Sequence, residues 1–438
     1  VLTLSAGMTI TSSSIVFNLN GAATTITTNG FIVSYLACSV TGTYTLADNL
    51  NVGTLSLAVG GLTYTFNGNT INIGTSFTGQ NSITCAGTSN IVFNGVNASY
   101  NCVGLFLKNN LTIAVSGTLT MSNSLTIVQG TFAYTSGTVV TSALSFGCAT
   151  TGGGCTLNLG SAVKFPSLGL NGSITLTNDL WTTGNCTFGS SANCTFSGVY
   201  TIYVGGNVTD AGNSIVGPSG QASIIMNGTG TLSCSGVATT SNINSNIIIN
   251  TTGTVTIGNL NRSTGTFQYI AGTVTVTPGT AFTINNTGTV LDVSAITFNN
   301  ININNAPVIT LNSALNATGT MSYSSNNLTF AGSFGWTVGS FVMTTLAGAQ
   351  MVLQAGNTYV VNNNINVTGT SASHNKIISS SGSVRAILTI NRSASQTIKY
   401  CDGTWIDSSG GRQVRTYKGT ISNTINWTNH ITDLNTFN

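Results

Sequence analysis

Apolar residues along this chain fall in short runs, and in many of them they alternate with hydroxyl residues. Leu62-Thr63-Tyr64-Thr65-Phe66, Thr254-Val255-Thr256-Ile257 and Thr273-Val274-Thr275-Val276 show the pattern. A period of two, rich in β-branched residues, predicts strands with one buried face. Between the runs stand Gly and Asn, often as Asn-Gly: Asn20-Gly21, Asn29-Gly30, Asn67-Gly68, Asn94-Gly95, Asn171-Gly172 and Asn227-Gly228. Both residues tolerate the positive φ that tight corners need. No segment keeps a helical period for three turns, so the chain reads as almost entirely β.

Repetition narrows the architecture. Gly130-Thr131-Phe132-Ala133-Tyr134-Thr135-Ser136-Gly137-Thr138-Val139 matches Gly265-Thr266-Phe267-Gln268-Tyr269-Ile270-Ala271-Gly272-Thr273-Val274. Upstream, Gly117-Thr118-Leu119-Thr120-Met121 matches Gly253-Thr254-Val255-Thr256-Ile257, and Gly319-Thr320-Met321-Ser322-Tyr323 is a related piece. Short strands, recurrent turns and weak self-similarity mark stacked repeats. The expected fold is all-β, a parallel β-helix or β-solenoid with a distinct C-terminal cap. Val, Ile, Leu and Phe turn inward, with Val274 and Val276 expected in the core. At an assumed ~20 residues per coil, residues 1–370 make about 18 coils. The competing architecture is a string of tandem β-sandwich domains, with turns spaced ~8–12 residues apart and more edge proline than the 4 Pro present here.

Composition adds a physical reason. Of 438 residues, 10 are Lys or Arg and 7 are Asp or Glu, all of the latter Asp, so 4% are charged; an ordinary soluble domain carries about 25%. This excludes a charged disordered tail, a coiled coil, an acidic halophile and a basic DNA-binding face. Stacking accounts for the deficit. Equivalent residues of adjacent parallel coils meet at ~4.8 Å, where like charges repel and Thr, Ser or Asn form neutral ladders. No stretch approaches the ~18–20 apolar residues of a membrane-spanning helix. The chain starts at Val1 without an initiator Met, read here as a removed leader or a start further upstream.

The charges are also unevenly placed. Residues 1–373 carry Asp48, Lys108, Lys164, Asp179, Asp210, Arg262 and Asp292, while the rest carry Lys376, Arg385, Arg392, Lys399, Asp402, Asp407, Arg412, Arg415, Lys418 and Asp433. The shift predicts a boundary near Thr370, with a repetitive body over 1–370 and a charged cap segment over 371–438. A solenoid needs a cap over its last open coil. Within that segment, Thr397-Ile398-Lys399-Tyr400-Cys401-Asp402 is followed by Ile406-Asp407-Ser408-Ser409-Gly410-Gly411 and by Tyr417-Lys418-Gly419-Thr420-Ile421-Ser422-Asn423-Thr424-Ile425-Asn426-Trp427. Residues 397–427 resemble the closing coils of large β-helical proteins on virions of tailed phages and other large DNA viruses, and of related surface repeat proteins. The resemblance implies an exposed appendage or virion-associated structural protein. It implies no catalytic residues.

Candidate chemistry is sparse. Glycan cleavage needs two carboxyls at short range, and in the body only Asp179 and Asp210 are near one coil period apart. Asp402 and Asp407 with Arg412 and Arg415 form the one dense polar cluster, expected to be a salt-bridged cap that Trp427 helps to close. His374 and His430 are the two histidines, too few and too scattered for a zinc pattern. Gly152-Gly153-Gly154 lacks the Lys-Ser/Thr of a phosphate loop and reads as a turn. Of the 9 Cys, Cys148 with Cys155 and Cys186 with Cys194 are spaced as candidate disulfides; the alternative is a buried thiol in place of Val or Ser. Acceptors for N-glycosylation, among them Asn97, Asn110, Asn207, Asn250 and Asn366, are no more frequent than the Asn, Ser and Thr content dictates. Tyr400, Arg412, Arg415, Tyr417 and Lys418 are too few for nucleic-acid binding.

The expectation is a non-enzymatic structural protein of an extracellular or virion-exposed assembly, without cofactors. Its partners are copies of itself and other structural proteins, since few charges and little Pro leave strand edges unguarded. The alternatives are a receptor- or glycan-binding adhesin fibre and a polysaccharide-active β-helix enzyme using Asp179 and Asp210 or the Asp402/Asp407 cluster.

Overall fold

The computed structural model describes residues 1–5, 8, 16–80, 82–141, 145–149, 154–189, 194–210, 215–216, 223–234, 243–262, 264–285, 288–305, 308–324, 326–344 and 348–430. Asp433, Gly152, Gly153 and Asn193 lie outside them. The fold is a parallel β-solenoid of stacked coils, about 18 turns among the described residues. The helical turn among them is the short 3-10 segment Gly160–Ala162. Parallel pairing rules out tandem sandwiches, whose sheets are antiparallel.

The chain forms two compact units, Val1–Val208 with Gln221–Ser223, and Thr209–Gly220 with Ile224–Asn438. In the first, one apolar column runs through Leu50, Ile71, Ile91, Leu111, Phe132, Leu157 and Leu176, each paired in register with the next. All seven are buried. The second sheet of this unit supplies Phe146 and Phe165, whose rings stack at 4.7 Å and meet Phe132 across the core. The second unit repeats the design. Ile247, Phe267, Leu291 and Leu311 form one column, and Phe282, Ile301, Met321, Phe341 and Ile365 another. At roughly 1.5–3 kcal/mol per fully buried large apolar side chain, these columns are the main favourable term in the fold.

Outward positions form the expected neutral rows. Asn72 donates to Asn51 at 2.9 Å, Ser99 to Ser76 at 2.9 Å, Ser197 to Thr175 at 2.8 Å and Ser322 to Asn302 at 2.8 Å. Thr256 and Thr275 hydroxyls lie 3.0 Å apart. Where charges enter a register they meet neutral or opposite neighbours. Lys376 lies between Gln350 and Asp402, Lys399 between Thr368 and Tyr417, and Arg415 beside Thr428. Lys164 lies beside Trp181, with its ammonium 5.2 Å from the ring centre.

Asparagine does more at the corners than turn the chain. Of the six Asn-Gly pairs, only Asn29 has positive φ on the asparagine. At Asn67 and at several corner asparagines not followed by Gly, the amide reaches to the next coil. The backbone N–H of Thr88 donates to Asn67 Oδ1 at 3.2 Å, that of Thr118 to Asn97 Oδ1 at 2.9 Å, and that of Thr131 to Asn110 Oδ1 at 2.9 Å. The N–H of Thr266 and that of Thr320 do the same with Asn246 and Asn300, at 2.9 and 3.0 Å. A corner N–H that faces away from the ladder is satisfied this way.

The sequence repeat is a structural repeat. Gly130–Thr141 stacks on Leu111–Met121, and Gly265–Val276 stacks on Asn246–Ile257, with register shifts at equivalent places. In both, a tyrosine hydroxyl donates three residues ahead, Tyr134 to Gly137 O at 2.5 Å and Tyr269 to Gly272 O at 2.7 Å. Gly137 and Gly272 have φ of 99° and 114°. A Cβ on Gly272 would lie 2.7 Å from Thr251 Cγ2, so Gly is required by both conformation and space.

The next coil is shorter in both places. On the preceding strand, Cys155–Asn158 reaches no further than Gly130–Ala133, and Thr289–Asp292 no further than Gly265–Gln268. Among the described residues, Thr138–Thr141 and Thr273–Val276 therefore pair on one side alone. This corrects the expectation for Val274 and Val276. Both are half-exposed, while Val255 and Ile257 in the preceding coil are buried.

The compositional shift near Thr370 lies within the second unit, and stacking continues through it. Gln350–Leu353 pairs with Asn375–Ser379, which pairs with Cys401–Thr404. Thr358–Thr368 pairs with Ala386–Ile390 and Ser395–Lys399, and the series runs on to Trp427–His430.

Candidate functional site

Residues that need positive φ without being glycine are concentrated in one place. Among the described residues they are Asn29, Ser82, Tyr400, Trp405, Lys418, Asn423 and Asn426. The last five fall in 400–426. For Tyr and Trp this conformation is strained, and such strain gathers at binding and catalytic sites. Tyr400 and Trp405, at φ 49° and 57°, bracket the strand Cys401–Thr404. Alternation along that strand buries Cys401 and Gly403 and turns Asp402 and Thr404 outward.

Asp402 and Thr404 face a groove of about 550 Å³. Its floor also holds Gln350, Lys376, Ile378 and Thr420, and its sides are Ser379–Gly382 and Trp405. Lys376 and Asp402 are neighbours in register. Asp402 Oδ1 accepts from the Thr420 N–H at 2.7 Å and lies 2.8 Å from His374 Nδ1. The two groups are within ion-pairing distance, charged on both sides only with a protonated imidazole. The serine wall is held by its own hydroxyls. Ser379 Oγ donates to Val384 O at 2.7 Å, and the Val384 N–H donates to Ser381 Oγ at 3.1 Å. Arg385 sits 5.3 Å above the Trp405 ring and donates through Nε to Asn423 O at 2.9 Å.

Among the described residues, Asp402, Asp407, Arg412 and Arg415 form no salt bridge with one another. Asp407 Oδ1 accepts the Ser409 N–H at 2.8 Å, closing a local turn. Arg412 donates to Ala394 O at 2.7 Å, and Arg415 Nε to Gln413 Oε1 at 3.4 Å. A carbonyl and a side-chain amide thus meet the two arginines, because stacking sets these corners beside neighbouring coils. Trp427 is buried on the inner side of the strand that bears Asp402. Its indole lies 3.1 Å from where a Cβ on Gly403 would stand, so the glycine makes room for the ring.

The other candidates are dispersed. Asp48 accepts the Thr28 N–H at 2.9 Å, Asp179 the Thr201 N–H at 2.9 Å, and Asp292 the Gln268 amide at 3.3 Å. Asp210 is fully buried. All nine cysteines are buried thiols. A hydrogen bond with Cys155, together with burial, pushes the Cys148 thiol well above the usual range. Cys186 lies opposite Leu168 in one sheet, and Cys194 is on a strand of the other. His430 Nε2 lies 3.4 Å from Thr428 Oγ1. Asn97 and Asn110 use their amides in the coil contacts above, and Asn366 accepts from Thr368 Oγ1 at 3.1 Å. The Asn207 N–H donates to Asn185 Oδ1 at 2.9 Å, and Asn250 pairs in register with Ala271.

Sequence reasoning reached Asp402 but missed Lys376, Trp405 and the serine wall. The run Ser379-Ser380-Ser381 was visible as composition. That it faces Trp405 depends on coil length, which spacing alone does not fix. No helix is long and apolar enough to cross a membrane, and no group of three metal-ligating side chains occurs among the described residues. No protein-family model matches the chain, and no curated protein or solved structure shows significant similarity to it.

Proposed function

We propose that this chain is a non-enzymatic structural protein of an extracellular or virion-exposed assembly, such as a fibre, spike or surface layer. It associates with copies of itself and with other structural components. The observation that carries this reading is the neutral strand edge Thr273–Val276, which pairs on one side alone among the described residues. Soluble proteins guard open edges with Lys, Pro or covering segments; this edge holds neither charge nor proline and is rich in β-branched residues. The carboxylates support the same reading. Asp48, Asp179, Asp402 and Asp407 each bind a backbone N–H at a corner, a scaffolding task. The resemblance of residues 397–427 to virion-associated closing coils points the same way.

Sedimentation velocity over a concentration series tests it. The chain is expected to form oligomers that Val274→Lys returns to monomer, since a charge on the edge opposes pairing. A monomer at every concentration, or oligomers indifferent to the substitution, would refute the reading.

A further inference from the structure

We propose that the groove beside Trp405 binds an acidic saccharide. The inference goes beyond the structural role and relies on it only for exposure to an external medium. The groove combines what a sugar needs: an aromatic ring for its apolar face, hydroxyl and amide groups for its polar rim, and one cation. Trp405 lines the groove and is fixed in place, with its backbone at positive φ and Arg385 over its ring. Gln350, Thr404 and Ser381 supply uncharged donors and acceptors along the floor and wall.

The free cation selects an acid. Asp402 is already engaged by His374 and by the Thr420 N–H. Lys376 is exposed and makes no ion pair among the described residues. One ammonium without a partner suits one carboxylate on the bound segment. It does not suit the dense phosphates of a nucleic acid, which call for a row of cations. A volume of about 550 Å³ lies within the ~300–1,000 Å³ of small-ligand sites. The wall is pre-organised by its internal hydrogen bonds, so little ordering opposes binding.

The test is direct titration of the full chain with carboxylated oligosaccharides of the uronic- and sialic-acid types, and with their neutral, carboxyl-reduced counterparts. The acidic forms are expected to bind at least tenfold more tightly than the neutral ones. Lys376→Gln should abolish that preference while neutral binding persists. Trp405→Asn, which removes the ring but tolerates the backbone conformation, should weaken both at least tenfold. Circular dichroism and the unfolding midpoint check that each variant is folded. Binding of neither class, equal binding of both, unaltered affinity in both variants, or tighter binding of a single-stranded oligonucleotide would each overturn the proposal. Sedimentation reads self-association separately, so either reading can fail without the other.

Discussion

The side chains that depart most from ordinary protonation are buried thiols, buried tyrosines such as Tyr100, and one buried guanidinium. Burial pushes Cys38 from an ordinary 9.0 up to about 12, and also raises Cys85, Cys102, Cys186 and Cys401. Above pH ~9 the unfolded chain sheds these protons while the folded chain keeps them, so stability falls as pH rises. For Cys38 the contribution is complete below about pH 9 and is lost between about 9 and about 12. Arg262 runs the other way. Burial lowers it to about 9, so above pH 9 the folded state sheds a proton that the unfolded state retains, which adds stability. The thiols outnumber it. The denaturant midpoint is expected to be level from about pH 6 to 8 and to fall from about pH 9 upward; an unchanged midpoint at about pH 10.5 would contradict the assignment. At this scale the sequence was only half legible. Asn and Gly marked the corners, but the amide contacts to the next coil need a coil period that composition does not reveal. Cysteine spacing likewise could not tell a staple from a packed thiol.

Among the strands, position in the stack decides what a residue tolerates. Val255 and Val274 are register partners with nearly the same sequence context. Val255 is buried between coils, and Val274 stands at an open edge. Val255→Asp should cost more than about 3 kcal/mol, because it buries an unpaired charge. Val274→Asp should cost about 1 kcal/mol, mostly lost strand propensity. Chemical denaturation of the two variants measures the contrast, and equal losses would show that the edge is covered. The repeat linking 130–139 to 265–274 was legible from sequence, down to the matched glycines. The edge was not, because it arises from the shorter coil that follows and not from the strand itself.

For the molecule as a whole, the shortage of charge and the parallel stack are one fact. A residue in register with its equivalent above and below cannot carry a charge cheaply unless the neighbours differ, and here the neighbours of Lys376, Lys399 and Arg415 are neutral or opposite. That logic made the solenoid legible before any coordinate. It did not make the C-terminal segment legible in the same way. The charges gathered there suggested a salt-bridged lid, whereas among the described residues the coils continue, with Asp407 and Arg412 in local backbone contacts and Lys376 and Asp402 in one groove. The central claim is in-register stacking, and it fixes distances. Asn51, Asn72, Val92, Thr112 and Ala133 follow one another in register. Asn51 and Ala133 are thus four coils apart, roughly 19 Å at ~4.8 Å per coil. Electron–electron distance measurement between spin labels at these two positions tests the claim most directly. The stack predicts one narrow distribution centred near ~20 Å, allowing for the label arms; a broad distribution, or one centred beyond about twice that value, would contradict it.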